Sequence, residues 1–236
     1  MKKIVILLLG SLFFFPGCLG DPYPVPETIE ARLIFYNSLM EPDKVVWEVD
    51  NSVSISGQSY GLPAEAVAEV EDYSQLVHIK ASTLEGGIAL DSLDYHLDPF
   101  RYYMVSILGT EEEPYLLCDT MDTGFPTIGL MKMRFLQAAE NMGAIDIYVG
   151  GGTPEHRILS GIEYSQLSDY VEASHESFWN AIIITPAGIL PGDSTILSFT
   201  VNNNFTPNKT YLGIINHTEI DPESSFRMQI FNQPVY

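Results

Sequence analysis

The chain is predicted to be all-β, built as two tandem β-sandwiches, and three observations carry that prediction. One pattern occurs twice: Leu97-Asp98-Pro99-Phe100-Arg101-Tyr102-Tyr103-Met104-Val105-Ser106-Ile107 returns as Phe205-Thr206-Pro207-Asn208-Lys209-Thr210-Tyr211-Leu212-Gly213-Ile214-Ile215. Many short segments place an apolar residue at every second position, the alternation of a half-buried strand. Helical periodicity is weak: Tyr164 to Ala173 comes nearest to an amphipathic helix, and its counterpart in the first half contains Pro63. A repeat of about 100 residues is the size of an independent sandwich and too long for a solenoid unit. Each copy is therefore expected to have its own core.

The strands follow in order. Ala31-Arg32-Leu33-Ile34-Phe35-Tyr36-Asn37 opens the first copy and Met131-Lys132-Met133-Arg134-Phe135-Leu136-Gln137 the second, with Phe35 and Phe135 offset by 100. At the same offset, Val45-Val46-Trp47-Glu48-Val49 matches Ile145-Asp146-Ile147-Tyr148-Val149. Turn chemistry separates the two strands at Glu41-Pro42-Asp43 and Asn141-Met142-Gly143; Asp50-Asn51 and Gly150-Gly151 close the second strand with residues that tolerate positive φ. Ser56-Gly57-Gln58-Ser59-Tyr60 parallels Ser160-Gly161-Ile162-Glu163-Tyr164, now offset by 104, so a few residues are inserted in the second copy. Leu76 to Lys80 and Ala181 to Thr185 supply the next strand, Ser92 to Leu97 and Thr195 to Val201 another. Each half then enters the repeated pattern and ends on Tyr115 to Cys118 or Phe226 to Phe231. Six to seven strands per half are expected.

The N-terminus reads as an address. Lys2 and Lys3 precede an apolar run from Ile4 to Phe15, followed by Pro16-Gly17-Cys18, the order of a secretory signal over residues 1–17. The run holds 12 residues, short of the roughly 20 that span a bilayer. Phe15-Pro16-Gly17-Cys18 resembles the lipobox of bacterial lipoproteins, with Phe15 and Pro16 departing from the usual aliphatic and small residues. That resemblance implies acylation of Cys18, with palmitate among the attached chains, and anchoring to a membrane. Residues 18–28 would then be the lipidated tether, rich in proline at Pro22, Pro24 and Pro26. A first sandwich over 29–120, a linker over 121–129 and a second sandwich over 130–236 complete the expected domains.

Removal of Lys2 and Lys3 lowers the basic count from 11 to 9 against 31 acids, so the formal charge moves from −20 to −22. Such a balance argues against nucleic acid as a partner, since phosphate binding needs concentrated Lys and Arg. With Cys18 acylated, Cys118 has no partner for an intramolecular disulfide, and packing must hold the fold.

In the repeated pattern a Leu or Phe, one residue, Pro, three residues and then Tyr precede an alternating strand. It resembles the tyrosine corner of immunoglobulin-like and fibronectin type III-like sandwiches, which assigns Tyr103 and Tyr211 to that role. Val105 and Gly213 stand two residues later, where antibody domains place a disulfide cysteine, so that bridge is absent. With the repeat, the Phe-led first strand, the aliphatic second strand and the lipobox-like start together, residues 29 to 236 resemble the domain-of-unknown-function 4397 family. The resemblance implies tandem immunoglobulin-like modules of envelope or secreted proteins, common in Bacteroidetes, and carries no catalytic residues. Asp50-Asn51 departs from that family's Gly-rich turn.

Candidate chemistry is sparse. His175-Glu176 begins like a zinc protease motif, but Trp179 stands where the second histidine is needed. His78, His96, His156, His175 and His217 do not recur at matched repeat positions. Cys118 lies at an apolar strand end, the setting of a buried thiol more than of a nucleophile. Asp119-Thr120-Met121-Asp122-Thr123-Gly124 faintly resembles a calcium loop and reads more simply as a linker. Glu111-Glu112-Glu113-Pro114 reads as a solvated hairpin tip.

Ser92, Thr120 and Ser194 sit in triplets resembling the O-glycosylation acceptor of exported Bacteroidetes proteins. The N-glycan-like triplets at Asn204, Asn208 and Asn216 read as ordinary loop and strand residues. Tyr23, Tyr95, Tyr102, Tyr115, Trp179 and Tyr236 are candidates for stacking sugars.

The expected protein is a non-enzymatic lipoprotein of the bacterial envelope, on the periplasmic or surface face of the outer membrane. It would have no cofactor or metal and would act as a binding, adhesive or assembly module with a protein or glycan partner. A carbohydrate or polymer receptor, and less so a hydrolase with its site between the copies, are the alternatives.

Overall fold

The computed structural model describes residues 29–42, 44–50, 52–70, 73–110, 112–122, 124–174, 176–177, 181–199, 205–217 and 226–233. Its named elements are sixteen strands and two short 3₁₀ turns. The first module contains β1 (Ile29–Asn37), β2 (Lys44–Val49), β3 (Ser52–Ser59), β4 (Pro63–Val70), β5 (Gln75–Thr83), β6 (Ala89–Leu97), β7 (Tyr102–Gly109) and β8 (Pro114–Met121). Two four-stranded sheets, ordered β4-β1-β7-β8 and β3-β2-β5-β6, form a sandwich. Neighbours are antiparallel except β1 and β7, which run parallel.

The second module repeats this topology with β9 (Leu130–Gln137), β10 (Ile145–Val149), β11 (Arg157–Ile162), β12 (Val171–Ser174), β13 (Ile182–Pro186), β14 (Leu197–Phe199), β15 (Thr210–His217) and β16 (Phe226–Gln233). Its sheets are β12-β9-β15-β16 and β11-β10-β13-β14, again with one parallel pair, β9 and β15. The protein is thus all-β, with two tandem β-sandwiches.

Each module has eight strands, where six to seven were read from the sequence. In the first module the difference is β4, Pro63-Ala64-Glu65-Ala66-Val67-Ala68-Glu69-Val70. Alanine and glutamate are poor strand formers, so the segment carries little strand signal by itself. Tertiary pairing decides it: β4 lies antiparallel along β1 from Tyr36↔Pro63 to Ile29↔Val70, and Ala68 and Val70 face the core. Pro63 stands at the strand's first position, where a missing N–H is tolerated. The counterpart stretch, Tyr164 to Ala173, is a turn followed by β12 rather than a helix.

Each sandwich closes on its own core. In the first, Trp47 and Phe35 are fully buried with ring centroids 4.7 Å apart, and Ile79, Leu97, Tyr103 and Ile107 pack around them. In the second, Phe135, Ile145, Ile147, Ile182, Ile184 and Ile215 do the same. Tyr103 accepts the Asp98 N–H at 2.7 Å and Tyr211 accepts the Thr206 N–H at 2.9 Å. Each hydroxyl thereby satisfies a backbone donor in the connection that feeds β7 or β15.

A third apolar layer joins the two sandwiches. On β7, Tyr103, Val105 and Ile107 face the first core, while Tyr102, Met104 and Leu108 face away and are equally buried. The outward face of β15 supplies Leu212 and Ile214, with Leu136 from β9 and Met121 from β8. Sheet β4-β1-β7-β8 therefore packs on sheet β12-β9-β15-β16, and the four sheets stack as layers.

Candidate functional site

β1 and β9 both start at one end of the stack, labelled the tether end after the tether expected over residues 18–28. The seam between the middle sheets is apolar at its centre and polar at both ends. At the far end, the Tyr36 hydroxyl is bonded to Gln229 and accepts Asn216 Nδ2 at 2.6 Å. Burial pushes the Tyr36 hydroxyl far above the ordinary phenol range, keeping it a neutral donor. Arg227 donates to Asn216 Oδ1 at 3.2 Å and lies 4.7 Å over the Tyr60 ring, and Tyr60 donates to the His217 carbonyl at 2.6 Å. Nearby, Gly109 N–H donates to the Tyr164 hydroxyl at 2.7 Å. All of these but the Arg227 contact with Asn216 cross from one module to the other.

At the tether end, Arg134 is almost fully buried. Its Nη2 donates to the Thr120 carbonyl at 3.2 Å and its Nη1 lies 3.6 Å from Asp119. The guanidinium sits 4.8 Å over the Tyr170 ring, whose hydroxyl accepts Asp122 N–H and bonds Gln233 Oε1 at 2.9 Å. Lys132 is paired with Asp122, which holds that carboxyl below its ordinary range. A buried cation with an oxygen partner and an aromatic face is a fixed structural contact, since breaking it leaves an uncompensated charge. Within the seam, Tyr36, Met104, Leu212, Phe231 and Gln233 help to line an apolar cavity of about 20 Å³, room for about one water. Among the described residues this seam cavity is too small for an organic substrate, and the seam acts as a joint.

The residues singled out in the sequence are dispersed. His78 lies 2.7 Å from Asp94, His96 faces Ser74, His156 is bonded to Thr153, and His217 stacks on Phe226. Asp119 and Asp122 are each turned to a different cation, so they do not form a shared oxygen cage. Among the described residues no group of three His, Cys, Asp or Glu side chains converges on a metal position. Cys118 is half-buried on β8, and burial, assisted by Asp119, pushes its thiol up to about 12.

Ser92 on β6 and Ser194 in the β13–β14 connection are exposed, whereas Thr120 is half-buried on β8. Asn216 is fully buried against Tyr36 and offers no room for a glycan. Of the sugar-stacking candidates, Tyr102 is buried in the seam, Tyr95 packs edge-on against Tyr103, and Tyr115 packs edge-on against Tyr164. Cys18, Tyr23, Glu111, Thr123, His175, Trp179, Asn204 and Tyr236 lie outside the described residues, as do residues 1–28, where the signal and the lipidated tether are expected.

The sequence reading missed the seam residues Tyr36, Arg134, Tyr170, Asn216 and Gln229. A signal was present: β7 and β15 are apolar on both alternating faces, which marks a strand covered on both sides.

Comparison of the chain with protein-family models and with curated proteins returned no match.

A second surface is set by exposure. The large apolar side chains left in solvent at the tether end are Tyr73, Leu76, Phe100, Phe125 and Ile128. Tyr73 and Leu76 follow the end of β4, Phe100 lies between β6 and β7, and Phe125 and Ile128 lie between β8 and β9.

Proposed function

We propose that this chain is a non-enzymatic, lipid-anchored protein of a bacterial envelope, acting as a binding, adhesive or assembly module. Membership of the domain-of-unknown-function 4397 family, acylation of Cys18 and a place on the outer membrane belong to the same proposal. The observation that carries it is a conjunction of sequence and fold. Gly17-Cys18 ends a charged-then-apolar leader, and only the short proline-rich segment 18–28 separates Cys18 from β1 of a two-module β-sandwich. Such a chain places rigid layered sheets on a membrane by a leash, and multiple acyl chains make that attachment durable.

The closed apolar seam supports a binding role over a reaction between the modules. Recognition then falls to loops and outer strands. The engagement of Tyr95, Tyr102 and Tyr115 in packing gives the sugar-platform reading no specific support.

The test is purification from the native membrane fraction followed by intact-mass measurement and cross-linking. The expected result is a chain lacking residues 1–17, heavier by its acyl chains, with that added mass lost in Cys18→Ser and one companion cross-linked to it. A chain of unmodified mass recovered from the soluble fraction would refute the anchor. Hydrolytic turnover by the purified protein would refute the non-enzymatic reading.

A further inference from the structure

We propose that the tether end of the molecule is a membrane-contact face, whose exposed aromatic and aliphatic residues seat the first module and the linker on the lipid surface. The inference rests on the lipid-anchored reading above and adds to it a defined orientation: the stack stands end-on, with the far-end loops directed away from the bilayer.

The strand register brings the rim together. Ile29 pairs with Val70, and Tyr73 and Leu76 follow directly in the next connection and strand. Phe100 N–H donates to the Glu30 carbonyl at 2.8 Å, which fixes the β6–β7 corner beside the first residues of β1. Met121 pairs with Tyr102, so β8 delivers the linker carrying Phe125 and Ile128 to the same end. Tyr73 is 84% exposed, Phe100 73% and Ile128 93%. All three exposed aromatic residues among the described ones, Tyr73, Phe100 and Phe125, belong to this end.

Phe100 supplies an independent argument. It holds φ at +59°, a conformation that costs a bulky side chain and suits Gly or Asn. The repeat gives the comparison within the same molecule: the equivalent corner of the second module has Asn208 at φ +62°, whose side chain accepts the Gly129 N–H at 2.8 Å. The first module thus places a phenylalanine where Asn fits the backbone better, and leaves the ring in water. Neither local conformation nor packing explains that residue. Insertion of the ring into a headgroup region does, since aromatic side chains favour the membrane interface.

The occupant is set by where the chain leads. Residues 18–28 extend over at most about 40 Å when fully stretched, so an acylated Cys18 keeps the end from which β1 starts within that distance of the bilayer. High local concentration makes weak apolar contacts effective. Arg101 and Lys209, exposed at matched positions of the two corners, offer cations to lipid phosphates in a chain that is otherwise strongly acidic.

The experiment uses the full chain as processed in its native membrane, reconstituted in vesicles of phosphatidylethanolamine and phosphatidylglycerol with and without brominated acyl chains. Phe100→Trp and Ile128→Trp report the tether end, and Ile88→Trp in the β5–β6 turn reports the far end; the parent chain supplies the background of its native tryptophans. Thermal unfolding verifies that each variant folds, and intact mass reports acylation separately. The expected result is loss of fluorescence to bromine at positions 100 and 128, with none at 88. Equal absence of quenching at all three positions in an acylated chain would overturn the contact face while leaving the anchor intact. Quenching at 88 alone would overturn the orientation. A blue shift at position 100 that grows with protein concentration and ignores bromine would assign the face to a second copy and overturn the lipid contact. Quenching at 100 and 128 in a chain without acyl mass would uphold the face and reject the anchor.

Discussion

Asp146 shows how one side chain organises a module. Its carboxylate is buried on β10 and accepts Gly161 N–H at 2.8 Å, Gly188 N–H at 3.0 Å and Arg157 Nη1 at 3.1 Å. The first module has Val46 at the matched position and uses another residue as its buried polar hub: Gln58, on β3, donates to the Phe35 and Leu62 carbonyls at 2.7 Å each and accepts the Trp47 indole N–H. Asp146→Ala leaves two backbone donors of the second module without a partner. The expected loss is about 3 kcal/mol, read as a lower urea midpoint. Cys118 is a second residue-scale case. Its thiol stays protonated in the fold up to about 12, whereas the unfolded chain ionises near 9. Stability from this group is present below pH 9 and falls as pH rises from there to about 12. Native Cys118 should therefore react with iodoacetamide at pH 8.5 about a thousandfold more slowly than in urea. Equal rates would show that the thiol is neither buried nor shifted.

At the scale of the element, the repeat made the strands legible while leaving their neighbours open. Strands with β-branched or aromatic alternation, such as β2, β7, β10 and β15, are visible from composition alone. β4 is not, because its Ala and Glu residues take the strand conformation only by pairing with β1. The parallel pairs β1–β7 and β9–β15 join segments distant in the chain, which no local signal encodes. One covariation between the copies has a direct consequence. Phe35 stacks on Trp47 and leaves room for Val105, but Trp47 is replaced by Ile147 in the second copy, and the Phe135 ring lies over Gly213. A Cβ at position 213 would stand 2.6 Å from Phe135 Cδ1. Gly213→Ala should cost about 1–3 kcal/mol by overpacking, measured as a lower Tm, whereas Val105→Ala should cost through lost packing instead. An unchanged Tm for Gly213→Ala would show that the ring is free to move.

For the whole molecule, the seam decides how the modules behave together. Met104, Leu108, Leu136, Leu212 and Ile214 are buried between the sandwiches, and Arg134, Tyr36 and Tyr164 lock the edges. Opening the seam would expose that apolar surface and strand a buried guanidinium. Calorimetry of the parent should therefore give one cooperative transition. Leu212→Lys, which places an unpaired charge in the apolar layer, should split it into two while each module keeps its β-sheet signal. Two transitions in the parent would show that the seam contributes little.

The sequence by itself determined the all-β class, the duplication and most of the strands of each sandwich, because alternation along a strand is a local property of the chain. The tertiary structure alone decided that the modules share a third apolar layer, that Arg134 and Asn216 are buried, and that Tyr73, Phe100 and Ile128 gather at one end. Those facts depend on which sheet faces meet and which loops fall side by side. Contacts between residues far apart in the chain are chosen by the packing of whole layers, for which no single segment carries the instruction.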